Sequence, residues 1–177
     1  MEPYDEAVSE KVRQLMTKSS GEEMAELRLD REGRWWFEGD AVTHPRVTAL
    51  FHRSLVQVNL QREPAPSSER GAGGEWALSV GRFTYPVTVD DTGLFVEGVA
   101  IGREGAALAL SNGGEAMLDL STVTYEGTGG LYCEIDGVKA RFKHGAYHEL
   151  LGECLHEEKG VAVLRLGGRE RILGDIS

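Results

Sequence analysis

Cysteine is scarce in this chain. Cys133 and Cys154 are the only two among 177 residues, too few for a disulfide framework. Long apolar runs are missing as well. No stretch approaches the roughly 18 apolar residues that a transmembrane helix needs. The opening residues, MEPYDEAVSEKV, contain neither a basic n-region nor an apolar core, so no secretory signal is expected. Together these absences point to a reduced, cytoplasmic setting with no membrane partner. Positive charge is in short supply: 19 Lys and Arg face 29 Asp and Glu, giving a net charge of −10. Such a field repels polyanions, and no Lys/Arg run interrupts it, so nucleic acid is disfavoured as a partner.

What the chain does have is an ordinary globular balance, 41% hydrophobic and 27% charged, with 23 glycines. That composition predicts many tight turns and short strands. Residues 3–18 carry Tyr4, Val8, Val12, Leu15 and Met16 at helical spacing, which predicts an N-terminal helix closed by Gly21. Leu27 and Leu29 then alternate with Arg28 and Asp30, a half-buried strand. The turn at residues 31–33 leads into RWWFE as the return strand. Thr43 is the expected N-cap of a second helix, with Pro45 in its first turn. Val47, Leu50, Phe51, Ser54, Leu55 and Val58 give that helix an apolar stripe running to about Gln57, with His52 on its surface side.

Residues 63–74, EPAPSSERGAGG, read as a surface loop. From Trp76 to Thr128 short strands dominate, and Pro86 is expected at a strand edge or bulge. LYCEI, the turn Asp136–Gly137 and VKARF form a further hairpin, with Leu131, Cys133, Ile135, Val138, Ala140 and Phe142 inward. A helix follows, striped by Tyr147, Leu150, Leu151, Cys154 and Leu155, its acidic end holding His156. VAVLRL and RERIL close the chain as a hairpin.

The order hairpin–helix–strand therefore occurs twice. The expected fold is α+β: an N-terminal helix and two lobes with repeated motifs and mostly antiparallel sheet. The expected division is 1–62 for the N-terminal helix and first ββα lobe, 63–74 for a flexible loop, and 75–177 for the second, β-rich lobe with its ββα repeat and C-terminal hairpin. The repeat aligns Trp35 and Phe37 with Ala140 and Phe142 on the inner face. Trp36 falls with Arg34 and Glu38 on the face that carries Lys139, Arg141 and Lys143 in the second copy. An indole on that face calls for a cover: the other lobe, a ligand or a partner.

LRLDREGRWWFEGDAVTHPRVTALFHRSL, through Gly33, Trp35, Phe37, Gly39, Pro45, Leu50 and Phe51, resembles the N-terminal signature of the bacterial domain-of-unknown-function family 1285. VTVDDTGLFV, through Val89, Asp91 and Phe95, is similar to a later segment of that family, and LSNGGE resembles its strand-to-turn step. LYCEIDGVKARFKHGAYHEL resembles its C-terminal part, through Gly137, Ala140, Arg141, Tyr147 and Leu150. These pieces follow in order across residues 25–155. The resemblance implies a two-lobed α+β fold with repeated motifs and a role in ligand binding or signalling, with no established activity. Two departures are visible: where the family has a Thr-Pro-acidic-basic step, this chain has SVGRF, and the loop at 63–74 is long.

Candidates for chemistry are few. His144 and His148 have the i, i+4 spacing that can ligate one metal, yet Gly145 stands where a zinc-protease motif needs Glu. Cys133, mid-strand among apolar neighbours, reads as core and not as a nucleophile. His44 at a helix start could face an anion or simply begin the helix. Asp90 and Asp91 could pair as acid and base, or open the DDTG turn. Arg34, Trp36, Lys139, Arg141 and Tyr147 form the candidate ligand-binding set, suited to a small anionic or aromatic molecule; interlobe packing is the plain alternative. The functional expectation is a non-enzymatic ligand-binding or signalling module without a cofactor. The alternatives are a protein–protein interaction module, a homodimer among its forms, and a metal-assisted hydrolase built on His144 and His148.

Overall fold

The structure is a computed structural model and describes residues 26–58, 75–81, 83–127 and 130–175. The expected N-terminal helix and the 63–74 loop lie outside the described residues. The chain divides into two compact units, residues 1–93 and 94–177.

The first unit is built on one six-stranded sheet. Its strands are β1 (Leu27–Leu29), β2 (Trp35–Phe37), β3 (Asp40–Val42), β4 (Leu55–Val58), β5 (Glu75–Val80) and β6 (Phe83–Val89), in the order β3-β2-β1-β6-β5-β4. All pairings are antiparallel except β1 with β6, where Arg28 meets Thr88 and Leu29 meets Val89. The first hairpin forms as its alternation predicts, and Gly33 takes the positive φ of 80° that its turn requires. Because β5 and β6 complete this sheet, they belong to the first unit. The division expected from the sequence puts them with the second lobe. Pro86 lies on β6, an inner strand of the sheet, yet at a position paired on one side only, the edge-like setting expected for it. It is tolerated because β1 reaches only Thr88 and Val89, so Pro86 has a single strand neighbour, at Ala77.

Helix α1 (Pro45–Ser54) has His44, not Thr43, at its N-cap position, without a side-chain capping bond, and Pro45 stands in the first turn. It ends three residues earlier than its apolar stripe suggests. Leu55 turns to extended geometry and starts β4, which pairs with β5 through Leu55↔Leu78 and Val58↔Glu75. Val47 and Phe51 are buried, and so is His52, which the pattern had put at the surface. The reason is Trp35: its indole meets the Phe51 ring edge-on at 5.1 Å and the His52 ring at 5.4 Å.

The second unit holds a six-stranded and a three-stranded sheet. The larger contains β7 (Leu94–Ile101), β8 (Ala106–Leu110), β9 (Glu115–Met117), β10 (Thr124–Glu126), β11 (Gly130–Ile135) and β12 (Val138–Phe142), ordered β10-β11-β12-β7-β8-β9. Its parallel pair is β12 with β7. Asp136 and Gly137 both take positive φ, 51° and 78°, the geometry of the two-residue turn their sequence predicts. A 3-10 turn at Leu120–Thr122 is capped by the Asp119 carboxylate, which accepts from the Ser121 amide.

Helix α2 (His144–Cys154) packs against β7 and β12, burying Ala146, Leu150 and Cys154. It runs directly into β13 (Leu155–Glu158), a strand that holds His156, which the sequence pattern places at the helix end. With β14 (Val161–Leu166) and β15 (Arg169–Asp175), β13 forms the smaller antiparallel sheet. Each unit thus repeats hairpin, helix and three antiparallel strands, as the sequence repeat implies. Across the described residues, sheet predominates and is mostly antiparallel.

Candidate functional site

In the first unit, the chemistry converges on Asp30. This carboxylate closes the hairpin turn between β1 and β2. Its Oδ1 accepts the amides of Glu32 at 2.9 Å and Arg34 at 2.8 Å. Its Oδ2 accepts Arg34 Nε at 3.0 Å and the Trp36 indole N–H at 2.9 Å. Asp at this position bonds backbone two residues on, as turn-forming aspartates do. Burial alone would raise its pKa. The hydrogen bonds from the Arg34 amide, the Trp36 indole and the Arg34 guanidinium outweigh that effect and hold it below the usual carboxylate value.

Arg34 and Trp36, two of the five sequence-predicted site residues, are therefore tied to the turn. Trp36 is half-buried and its one polar atom has an acceptor. Beside them, Arg28 grips Asp90 through two bonds of 2.8 and 2.6 Å, which ties Asp90 to the β1–β6 pairing. The indole nitrogens of Trp35 and Trp76 are buried without a hydrogen-bond partner.

In the second unit, the candidates gather on the outer face of β12. Lys139, Arg141 and Lys143 alternate along one face, opposite the core residues Ala140 and Phe142. Tyr132 of β11 lies directly across from Arg141, and Phe95 of β7 lies on the other side of it. The Arg141 Nη1 donates to the Tyr132 hydroxyl at 2.9 Å. Lys139 Nζ stands 3.9 Å from the centre of the Tyr132 ring and 2.6 Å from Glu126. Lys143 Nζ stands 5.7 Å from the Phe95 ring and 2.6 Å from Glu97. Three cations thus lean over two aromatic rings, a cation–π arrangement in an acidic chain.

Tyr132 falls outside the inward set that the alternation of LYCEI predicts. It is 1% exposed, and Arg141 is 8% exposed. The missed signal was an aromatic at the cross-strand position of an arginine. Tyr147, the fifth predicted site residue, packs half-buried against the core from α2 and stands apart from this face.

The remaining candidates separate cleanly. Cys133 and Cys154 are buried, and burial pushes the Cys133 thiol up to about 12 and the Cys154 thiol upward as well. Thiols so placed are poor nucleophiles at neutral pH. His144 and His148 are exposed with ring centroids 4.2 Å apart. Among the described residues, no group of three or more His, Cys, Asp or Glu could hold a metal ion.

The β-sheet layout and its two helices have counterparts among solved structures. The fold is that of DUF1285 family proteins. One, from Silicibacter pomeroyi, is 18% identical over 85% of this chain and 80% of that one, with a TM-score of 0.57. Another, from Shewanella baltica, is 16% identical over 73% of this chain and 92% of that one, with a TM-score of 0.51. The likeness is one of fold, and it agrees with the resemblance carried by the sequence. No family model matches the sequence, and no curated protein does either. Among the described residues, no helix is long and apolar enough to cross a membrane.

Proposed function

We propose that this chain is a non-enzymatic binding module that seats a small anionic or aromatic ligand on the outer face of β12. The observation that carries the reading is the cationic trio Lys139, Arg141 and Lys143 set over Tyr132 and Phe95 in a chain of net charge −10. The flanking lysines are paired with Glu126 and Glu97 at partly exposed positions. Such pairs are worth about 0–1 kcal/mol, so an incoming carboxylate or phosphate exchanges with them at small cost. Arg141, held against Tyr132 and buried, adds its positive charge beneath the two lysines. Arg34 and Trp36 drop out of the ligand set in this reading, because Asp30 occupies them.

A thermal-shift screen of aromatic carboxylates, aryl phosphates and nucleotides tests the proposal. A ligand at a hundred times its Kd stabilises the bound unit by about 2.7 kcal/mol. For a unit of this size that is a rise of roughly 10–20 degrees in Tm. Lys139→Met abolishes most of the shift while leaving the unliganded Tm nearly unchanged. A panel without a single stabilising compound counts against the reading.

A further inference from the structure

We propose that His144 and His148 form a chelating site for a late transition-metal dication. Both imidazoles come from the start of α2, one turn apart, with ring centroids at 4.2 Å and planes at 77°. Both residues are exposed, so a metal reaches them from solvent. Imidazole nitrogens bind zinc at about 2.0–2.1 Å, which sets the two ring centres roughly 5 Å apart around a shared ion. The rings need to open by less than about 1 Å, which their side-chain torsions supply. Tyr147 packs edge-on to His148 at 5.2 Å and limits how far that ring swings.

The donor set selects the ion. Two imidazoles suit Cu²⁺, Ni²⁺ and Zn²⁺, whereas Mg²⁺ and Ca²⁺ require oxygen ligands. No third His, Cys, Asp or Glu among the described residues completes the sphere, so water fills the open positions and the ion exchanges freely. The helix dipole opposes a cation at this end by about 0.3–1 kcal/mol. The net charge of −10 acts in the other direction.

Calorimetric titration of the untagged full chain at pH 7.5, in a non-coordinating buffer, decides the matter. One saturable equivalent of Cu²⁺ binds, with Zn²⁺ weaker and Mg²⁺ silent. His144→Ala and His148→Ala each weaken Cu²⁺ about a hundredfold, because the second ligand no longer binds intramolecularly. His156→Ala, on β13, binds as the parent does. Metal-free thermal unfolding of the three variants matches the parent, since all three side chains are exposed. Parent-like Cu²⁺ affinity in either α2 variant, or absence of the saturable equivalent, overturns the proposal.

Discussion

Removing the Asp30 carboxylate is the sharpest perturbation of the first unit. Four donors converge on it, and hydrogen bonds to a charged group contribute about 1.5–3 kcal/mol each when water is excluded. The Arg34 side chain is largely exposed, so its share is screened and counts for little. The turn amides are part-buried, and water replaces some of what they lose. The Trp36 N–H and these amides then set the total, and Asp30→Ala costs roughly 2–4 kcal/mol. Trp36→Phe keeps an aromatic ring and removes the N–H, for about 1–2 kcal/mol. Asp30→Asn keeps an acceptor for the amides but loses the charge, so its cost is intermediate.

Urea unfolding followed by tryptophan fluorescence reads these values, because Trp35, Trp36 and Trp76 all lie in the first unit. The pH dependence gives a second handle. The folded pKa of Asp30 is depressed. Its stabilisation is thus complete above the unfolded value of about 3.9 and disappears as pH falls through the folded value. The gap between the parent and Asp30→Asn narrows in acid accordingly. In a double-mutant cycle, Asp30→Asn and Trp36→Phe couple by about 1 kcal/mol. Parent and Asp30→Ala within about 0.5 kcal/mol at pH 7, or a gap indifferent to pH, would refute the argument that the turn depends on this carboxylate.

Three other outcomes follow from the packing. Gly93→Ala brings a methyl carbon to 2.6 Å from the Trp76 ring and 2.8 Å from Leu55, so it destabilises the first unit by about 1–3 kcal/mol, seen as a lower urea midpoint. Gly130→Ala places its methyl 2.5 Å from the Tyr132 ring; the displaced ring reduces both Tm and any ligand shift that depends on the outer face of β12. A thiol reagent at pH 8 modifies neither Cys133 nor Cys154 in the folded chain and both after denaturation, whereas rapid native labelling contradicts the burial described for them.

The repeated hairpin–helix–strand order was legible because alternation and helical spacing are local signals. The pair Asp136–Gly137 and the inward set Leu131, Cys133, Ala140 and Phe142 came directly from them. Pairings between distant strands were not legible. Nothing local says that β6 lies parallel to β1, so the place of β5 and β6 in the first sheet leaves no trace in the sequence. The ends of both helices were misjudged for one reason: Leu55 and Leu155 continue an apolar stripe while the backbone has already become extended. His52 looked polar and therefore outer, but its partner Trp35 belongs to another element. On the site, the alternation correctly grouped Lys139, Arg141 and Lys143 on one face. It could not reveal that Trp36 had an acceptor in its own turn, because a side-chain bond from Trp36 to Asp30 leaves no periodic trace. The question posed by two adjacent tryptophans thus has a local answer: one packs on α1, and the other braces the turn through its N–H.

An amide NMR titration of the nitrogen-15-labelled chain tests the binding claim most directly, with phenyl phosphate as the probe. The account predicts saturable shifts clustered at Phe95, Glu97, Glu126, Tyr132, Lys139, Arg141 and Lys143, which are lost in Lys139→Met. Shifts confined to other residues, or none at millimolar probe, would contradict it.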